Sequence, residues 1–152
     1  IEERVIQPGF HGVFFDTIDE IEYLEDPAVK QVQLDAYMAF YKKLKDHYPE
    51  LSIIQNRGFS LYIQGASRYL DGLIYEDLLY SKATHTPEDT VFYNHLINIA
   101  RRDGNVLMAI SHENRRENFS FCRAHGWPFY YSSYRNNYQK FEGPIDSVTQ
   151  KK

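Results

Sequence analysis

Gly9-Phe10-His11-Gly12-Val13-Phe14-Phe15-Asp16-Thr17-Ile18-Asp19 is the stretch whose reading decides the fold. Its apolar run, Gly12 to Phe15, ends in Asp16 and passes into a polar, acidic loop, which is the pattern of a buried parallel strand entering a βα connection. Asp26-Pro27 then supplies an N-cap and a first-turn proline. Val29, Val32, Ala36, Tyr37, Phe40, Tyr41 and Leu44 recur at helical spacing, so a helix is predicted over about residues 28–47.

The same alternation repeats downstream. Leu51-Ser52-Ile53-Ile54-Gln55-Asn56 reads as a strand ended by Arg57-Gly58, and a weakly patterned segment leads to another strand, Gly72-Leu73-Ile74-Tyr75-Glu76. Thr86-Pro87-Glu88-Asp89 combines an N-cap, a first-turn proline and acidic residues where a helix dipole favours them. Phe92, Leu96, Ile99 and Ala100 give that helix its apolar face, and Gly104 stops it. Val106 to Ile110 predicts a fourth strand, Glu113 to His125 a helix stopped by Gly126, and Pro128 to Tyr131 a fifth strand.

Strands separated by helices imply a parallel sheet with right-handed crossovers. Periodicity alone leaves two architectures open, a small doubly wound domain or part of a (β/α)8 barrel of the TIM type. The chain contains no GxGxxG or GxxxxGK[ST] turn, which favours the barrel. At 152 residues it is short for eight strands, which take about 250. No linker or repeat divides it, so residues 1–152 are expected to form a single domain covering about five βα units.

Composition narrows the partners. The longest apolar runs fall far short of the roughly 18 residues a membrane span needs, so no span is expected. With a formal charge of −4 and basic residues scattered, nucleic acid is not an expected partner. One cysteine, Cys122, excludes an internal disulfide framework. The six histidines make no ligand-type spacing, and neither a metal nor a cofactor is expected. The first residues carry no signal-peptide pattern, and the native start is expected to lie upstream of Ile1. The 13 tyrosines and 10 phenylalanines suit sugar stacking and ordinary cores alike.

In order and spacing, the segments Gly9 to Asp19, Ile53-Ile54-Gln55-Asn56-Arg57-Gly58, and Asp71-Gly72-Leu73-Ile74-Tyr75-Glu76-Asp77-Leu78 resemble glycoside hydrolase family 114. The resemblance implies a β/α barrel of the endo-α-1,4-polygalactosaminidase kind, with these five strands as the fourth to eighth. It further implies a retaining mechanism with Asp16 as nucleophile and Glu76 as general acid/base, a polysaccharide substrate, and secretion or another extracytoplasmic location. The first three barrel strands are expected from the same chain or a partner chain. Where the family pattern ends a strand in Asp-Tyr, this chain has Ser111-His112, which alters whatever contact is made there.

The residues support a site independently of that resemblance. Barrel active sites lie at the C-terminal strand ends, where Asp16 and Glu76 stand, and alternate strands contribute to one inward layer. Sequence leaves both the retaining separation of about 5–5.5 Å and the inverting range of about 6.5–9.5 Å open. Asp19, Asn56 and Tyr134 are candidate substrate-binding groups. Asp19 equally fits a loop terminator, Asn56 equally fits a carboxylate-orienting role, and Arg57 fits a structural ion pair. Glu20, Glu22 and Glu25 read as a solvated acidic face. A non-catalytic carbohydrate-binding barrel, an incomplete barrel and an unrelated barrel lyase are the alternative readings.

Overall fold

In the computed structural model, residues 1–133 are described. Five strands, β1 (Gly12–Phe15), β2 (Ser52–Asn56), β3 (Gly72–Tyr75), β4 (Val106–Ser111) and β5 (Phe129–Tyr131), form one parallel sheet in the order β1-β2-β3-β4-β5. Between them run α1 (Pro27–His47), the short α2 (Phe59–Ile63), α3 (Pro87–Asp103) and α4 (Arg115–His125). A doubly wound domain reverses its strand order at a switch point. Here every crossover moves one strand in the same direction, so the sheet is a run of a β/α barrel.

The helix ends follow the sequence signals. Asp26 accepts the Ala28 and Val29 amides at the start of α1, and Thr86 and Asp89 form a reciprocal capping box on α3. Two departures are local. Glu2–Ile6 makes a π-helical turn ahead of β1, where no element was expected, and α4 begins at Arg115, two residues after the expected Glu113. Asn114 caps α4 in a left-handed conformation without a side-chain bond, so nothing in its polar character announced that start.

Side chains alternate across the sheet with period two. Val13 and Phe15, Ile53 and Gln55, Leu73, Leu107 and Ala109 face the helices. Phe15 packs on Phe40 and Tyr41, and the core continues through Leu34, Leu61, Leu96 and Cys122. Gln55 is fully buried there yet saturated: its carbonyl accepts the Tyr41 hydroxyl at 3.0 Å, and its amide donates to Arg57 O at 2.7 Å and Gly58 O at 3.0 Å. Burial pushes the Tyr41 hydroxyl up, which keeps it a donor.

That amide pins the turn after β2, and its alternation partner Asn56 faces the other way. On this inner face Gly72 makes room for Met108, since a Cβ at Gly72 would stand 2.8 Å from Met108 Cε. Phe14 on β1 is 53% exposed and Val106 on β4 49%, so the inner face is open among the described residues, where a closed barrel packs such side chains into layers.

Candidate active site

The register sets the acids. Phe14 pairs with Ile54 and Asn56 with Ile74, so Asp16 stands level with Asn56 while Glu76 lies two residues further along. A two-residue step between alternate strands is what a shear of about 8 over eight strands produces, and it brings Asp16 and Glu76 into one layer. Asn56, on the strand between them, joins them. Its Nδ2 donates to Asp16 Oδ1 at 2.9 Å and to Glu76 Oε2 at 2.7 Å.

Those two bonds bound the gap. The two oxygens can lie no further apart than the sum of 2.9 and 2.7 Å, 5.6 Å. Two N–H bonds splayed by about 120° from one nitrogen place them about 5 Å apart. The amide must present its NH2 to the pair, because the flipped orientation would set a carbonyl oxygen against two carboxylates. Asn56 itself is only 6% exposed, and its Oδ1 is buried without a partner among the described residues. An orphaned acceptor of that kind costs about 1–3 kcal/mol.

Each site residue is followed by a left-handed residue that bears a side chain: Thr17 (φ 61°), Arg57 (φ 53°) and Asp77 (φ 57°). Such backbone costs about 1–2 kcal/mol per residue, most for a β-branched one such as Thr17. At Thr17 the turn aims its N–H at Asp16 Oδ1, 2.9 Å away. Asp16 Oδ1 therefore takes two N–H donors, and Oδ2 is left as the more basic oxygen. At β2 the turn continues through Gly58 (φ 61°), where an added Cβ would meet Ile18 Cγ2 at 2.6 Å.

Asp19 and Arg57 form an ion pair at 3.0 Å with Asp19 only 13% exposed, so Asp19 is engaged in structure beside the acids. Glu22 corrects the solvated-face reading: its carboxylate accepts the Ser60 amide at 2.9 Å and hydroxyl at 3.0 Å, fastening the loop after β1 to the start of α2. Tyr134 lies outside the described residues. His112, just past the end of β4, donates from Nδ1 to Ser132 O at 2.9 Å and places Nε2 3.7 Å from Asp77. Among the described residues no group of three His, Cys, Asp or Glu is arranged to hold a metal ion.

Sequence reasoning missed Asn118, which is fully buried and saturated. It accepts the Tyr80 amide at 2.7 Å and donates to Ser111 Oγ and Glu113 O, both at 2.7 Å, tying the loop after β3 to the end of β4. Its only sequence signal is an asparagine at one turn's remove on a helix face, which does not reveal a partner 38 residues away. A cavity of about 330 Å³ sits at the opposite end of the sheet around Phe10, His11 and Tyr48.

No protein-family pattern matches the sequence, and no curated protein matches it. Among solved structures, the glycoside hydrolase domain of PelA from Pseudomonas aeruginosa is similar, with a TM-score of 0.60 and 22% identity over 84% of this chain and 55% of that one. The chain shares that domain's fold. A glutamate-to-alanine variant of the same PelA domain matches with a TM-score of 0.59 at the same identity and coverage. The present chain thus spans about half the length of the solved PelA domain.

Proposed function

We propose that this chain carries the catalytic acids of a retaining glycoside hydrolase acting on an α-linked, galactosamine-containing polysaccharide. The observation that carries the reading is the shared Asn56 amide, which brings one oxygen of each acid within 5.6 Å of the other, a short spacing that favours the retaining arrangement. Asp16 Oδ2 attacks the anomeric carbon as Glu76 gives its proton to the departing glycosidic oxygen. A glycosyl ester on Asp16 results, and the truncated chain leaves with that proton. Glu76, now a carboxylate, takes a proton from water, whose oxygen displaces Asp16 and restores both acids.

Several features support the substrate class. Glu20 and Glu25 lie exposed on the segment after β1, and negative charge there suits an ammonium-bearing sugar. The fold likeness to a glycoside hydrolase domain and the sequence resemblance to polygalactosaminidases point the same way. A polymer substrate of this kind accords with an extracytoplasmic location, and among the described residues no helix is long and apolar enough to cross a membrane. The remaining barrel strands are supplied by the same chain or a partner chain, which closes the face on which Phe14 lies exposed.

The test compares the intact parent protein with Asp16→Asn and Glu76→Gln on partially deacetylated polygalactosamine, counting new reducing ends and resolving the first anomer by NMR. Cleavage that disappears in both variants and yields the α-anomer first is expected. Undiminished cleavage in either variant rejects the pair. Binding without cleavage by the parent favours a carbohydrate-binding barrel instead.

A further inference from the structure

The acids have a third partner whose role is distinct from either. Asn56 has two amide hydrogens, and both are committed, one to Asp16 and one to Glu76. Its only other polar atom, Oδ1, is buried and without a partner among the described residues, and the residue as a whole is 6% exposed. No atom of Asn56 is available to a sugar. A side chain selected for packing alone would not keep a bare carbonyl in a buried position, so the NH2 group is the part the site uses.

We infer that Asn56 is a positioning residue, which fixes the separation of the two acids through one shared donor. The inference rests on the hydrolase reading above and favours the carboxylate-orienting role of Asn56 over substrate binding. A neutral NH2 group can donate one hydrogen to each acid whether that acid is charged or protonated, and an apolar residue could hold neither in place. The β2 backbone supplies the rigidity. Asn56 is paired with Ile74 of β3, and Gln55 bolts the following turn from the helix side.

Other charges near the acids are already engaged. Arg57 is paired with Asp19 beyond the ends of β1 and β2, His112 just after β4 faces Asp77 just after β3, Glu22 is bound to Ser60, and Glu113 has its own interaction. A change at Asn56 alters none of these directly.

The experiment uses Asn56→Ala and the isosteric Asn56→Asp in the intact parent protein. Asn56→Ala is expected to lower kcat about 10- to 100-fold with KM within about threefold. Asn56→Asp keeps the shape but replaces the donor with a third carboxylate, so its loss near neutral pH is larger. A raised KM with undiminished kcat would make Asn56 a substrate contact and overturn the inference. So would activity that follows thermal stability alone. Carbon-13 resonances of the Asp16 and Glu76 carboxyls separate the two readings: resonances that both move in Asn56→Ala uphold the shared grip even if the parent cleaves nothing, and unmoved resonances reject it even if the parent is active.

Discussion

The two ends of this one sheet are built on opposite terms. At the N-terminal ends every strong group is answered. Asp71 accepts Lys45 Nζ at 2.9 Å and the Ile53 amide at 2.8 Å; Asn105 donates to Ser67 O and Leu70 O and accepts the Tyr62 hydroxyl; Asp103 takes both arms of Arg102 and the Ser67 hydroxyl. At the C-terminal ends two acids share one amide, a carbonyl is orphaned among the described residues, and three residues with side chains hold left-handed backbone. The first arrangement stabilises the fold, and the second places charge at a cost that the first offsets.

Substitutions should therefore separate activity from stability according to the end they touch. The largest effect falls on the acids: Asp16→Asn or Glu76→Gln should lower the cleavage rate by about 10³-fold or more. The thermal midpoint should hold or rise, because the acids occupy costly positions that the fold does not require. A midpoint that drops together with activity would erase the contrast.

Asp71→Ala should do the reverse. It strips a backbone amide and Lys45 of a shared acceptor, so denaturant unfolding should show a loss of about 1–2 kcal/mol, kept modest by solvent around the half-exposed carboxylate. Cleavage per folded molecule should stay within about twofold of wild type.

Asp103 gives the stable end a pH signature. The Arg102 guanidinium, helped by the Ser67 hydroxyl and opposed by desolvation, holds its carboxyl down at about 2. Its value when unfolded is about 3.9. A folded value below the unfolded one means that the contribution is fully present above about pH 4 and is lost as pH falls towards about 2. The stability gap between wild type and Asp103→Asn should thus be widest near neutrality and should close over that window. A gap independent of pH would show that packing, not charge, dominates there.

The smallest effect concerns strain. Thr17→Gly removes a β-branched residue from left-handed backbone while keeping the N–H that binds Asp16 Oδ1. The strain relieved, about 1–2 kcal/mol, exceeds the entropy glycine adds to the unfolded chain, about 0.5–1, so a net gain below about 1 kcal/mol is expected in calorimetry. Destabilisation would mean that the Thr17 side chain has a packing role.

What the sequence disclosed and what it withheld divide along a physical line. Caps and strand ends are local chemistry: Asp26-Pro27, the Thr86 to Asp89 box, Gly104 and Gly126 each act within a turn of where they stand, and each falls where expected. Asp16, Asn56 and Glu76 were visible as strand-end polar groups for the same reason. The partnership among them was not, because a 40-residue separation in Asn56–Asp16 and a 38-residue one in Glu22–Ser60 depend on register and on rotamers that no period encodes. The helical turns at Glu2–Ile6 and Ile18–Tyr23 escaped as well. In the second, Ile18 and Ile21 are buried between acidic residues that masked them.

The unbroken strand order has a bearing on how the molecule is made. Neighbours in the sheet are also neighbours along the chain, so each strand can dock on its predecessor soon after it leaves the ribosome, with only short stretches of polymer to close. Asp16, Asn56 and Glu76 belong to three successive units. The cluster can thus assemble once residue 76 has been laid down, while β4, α4 and β5 are still being synthesised.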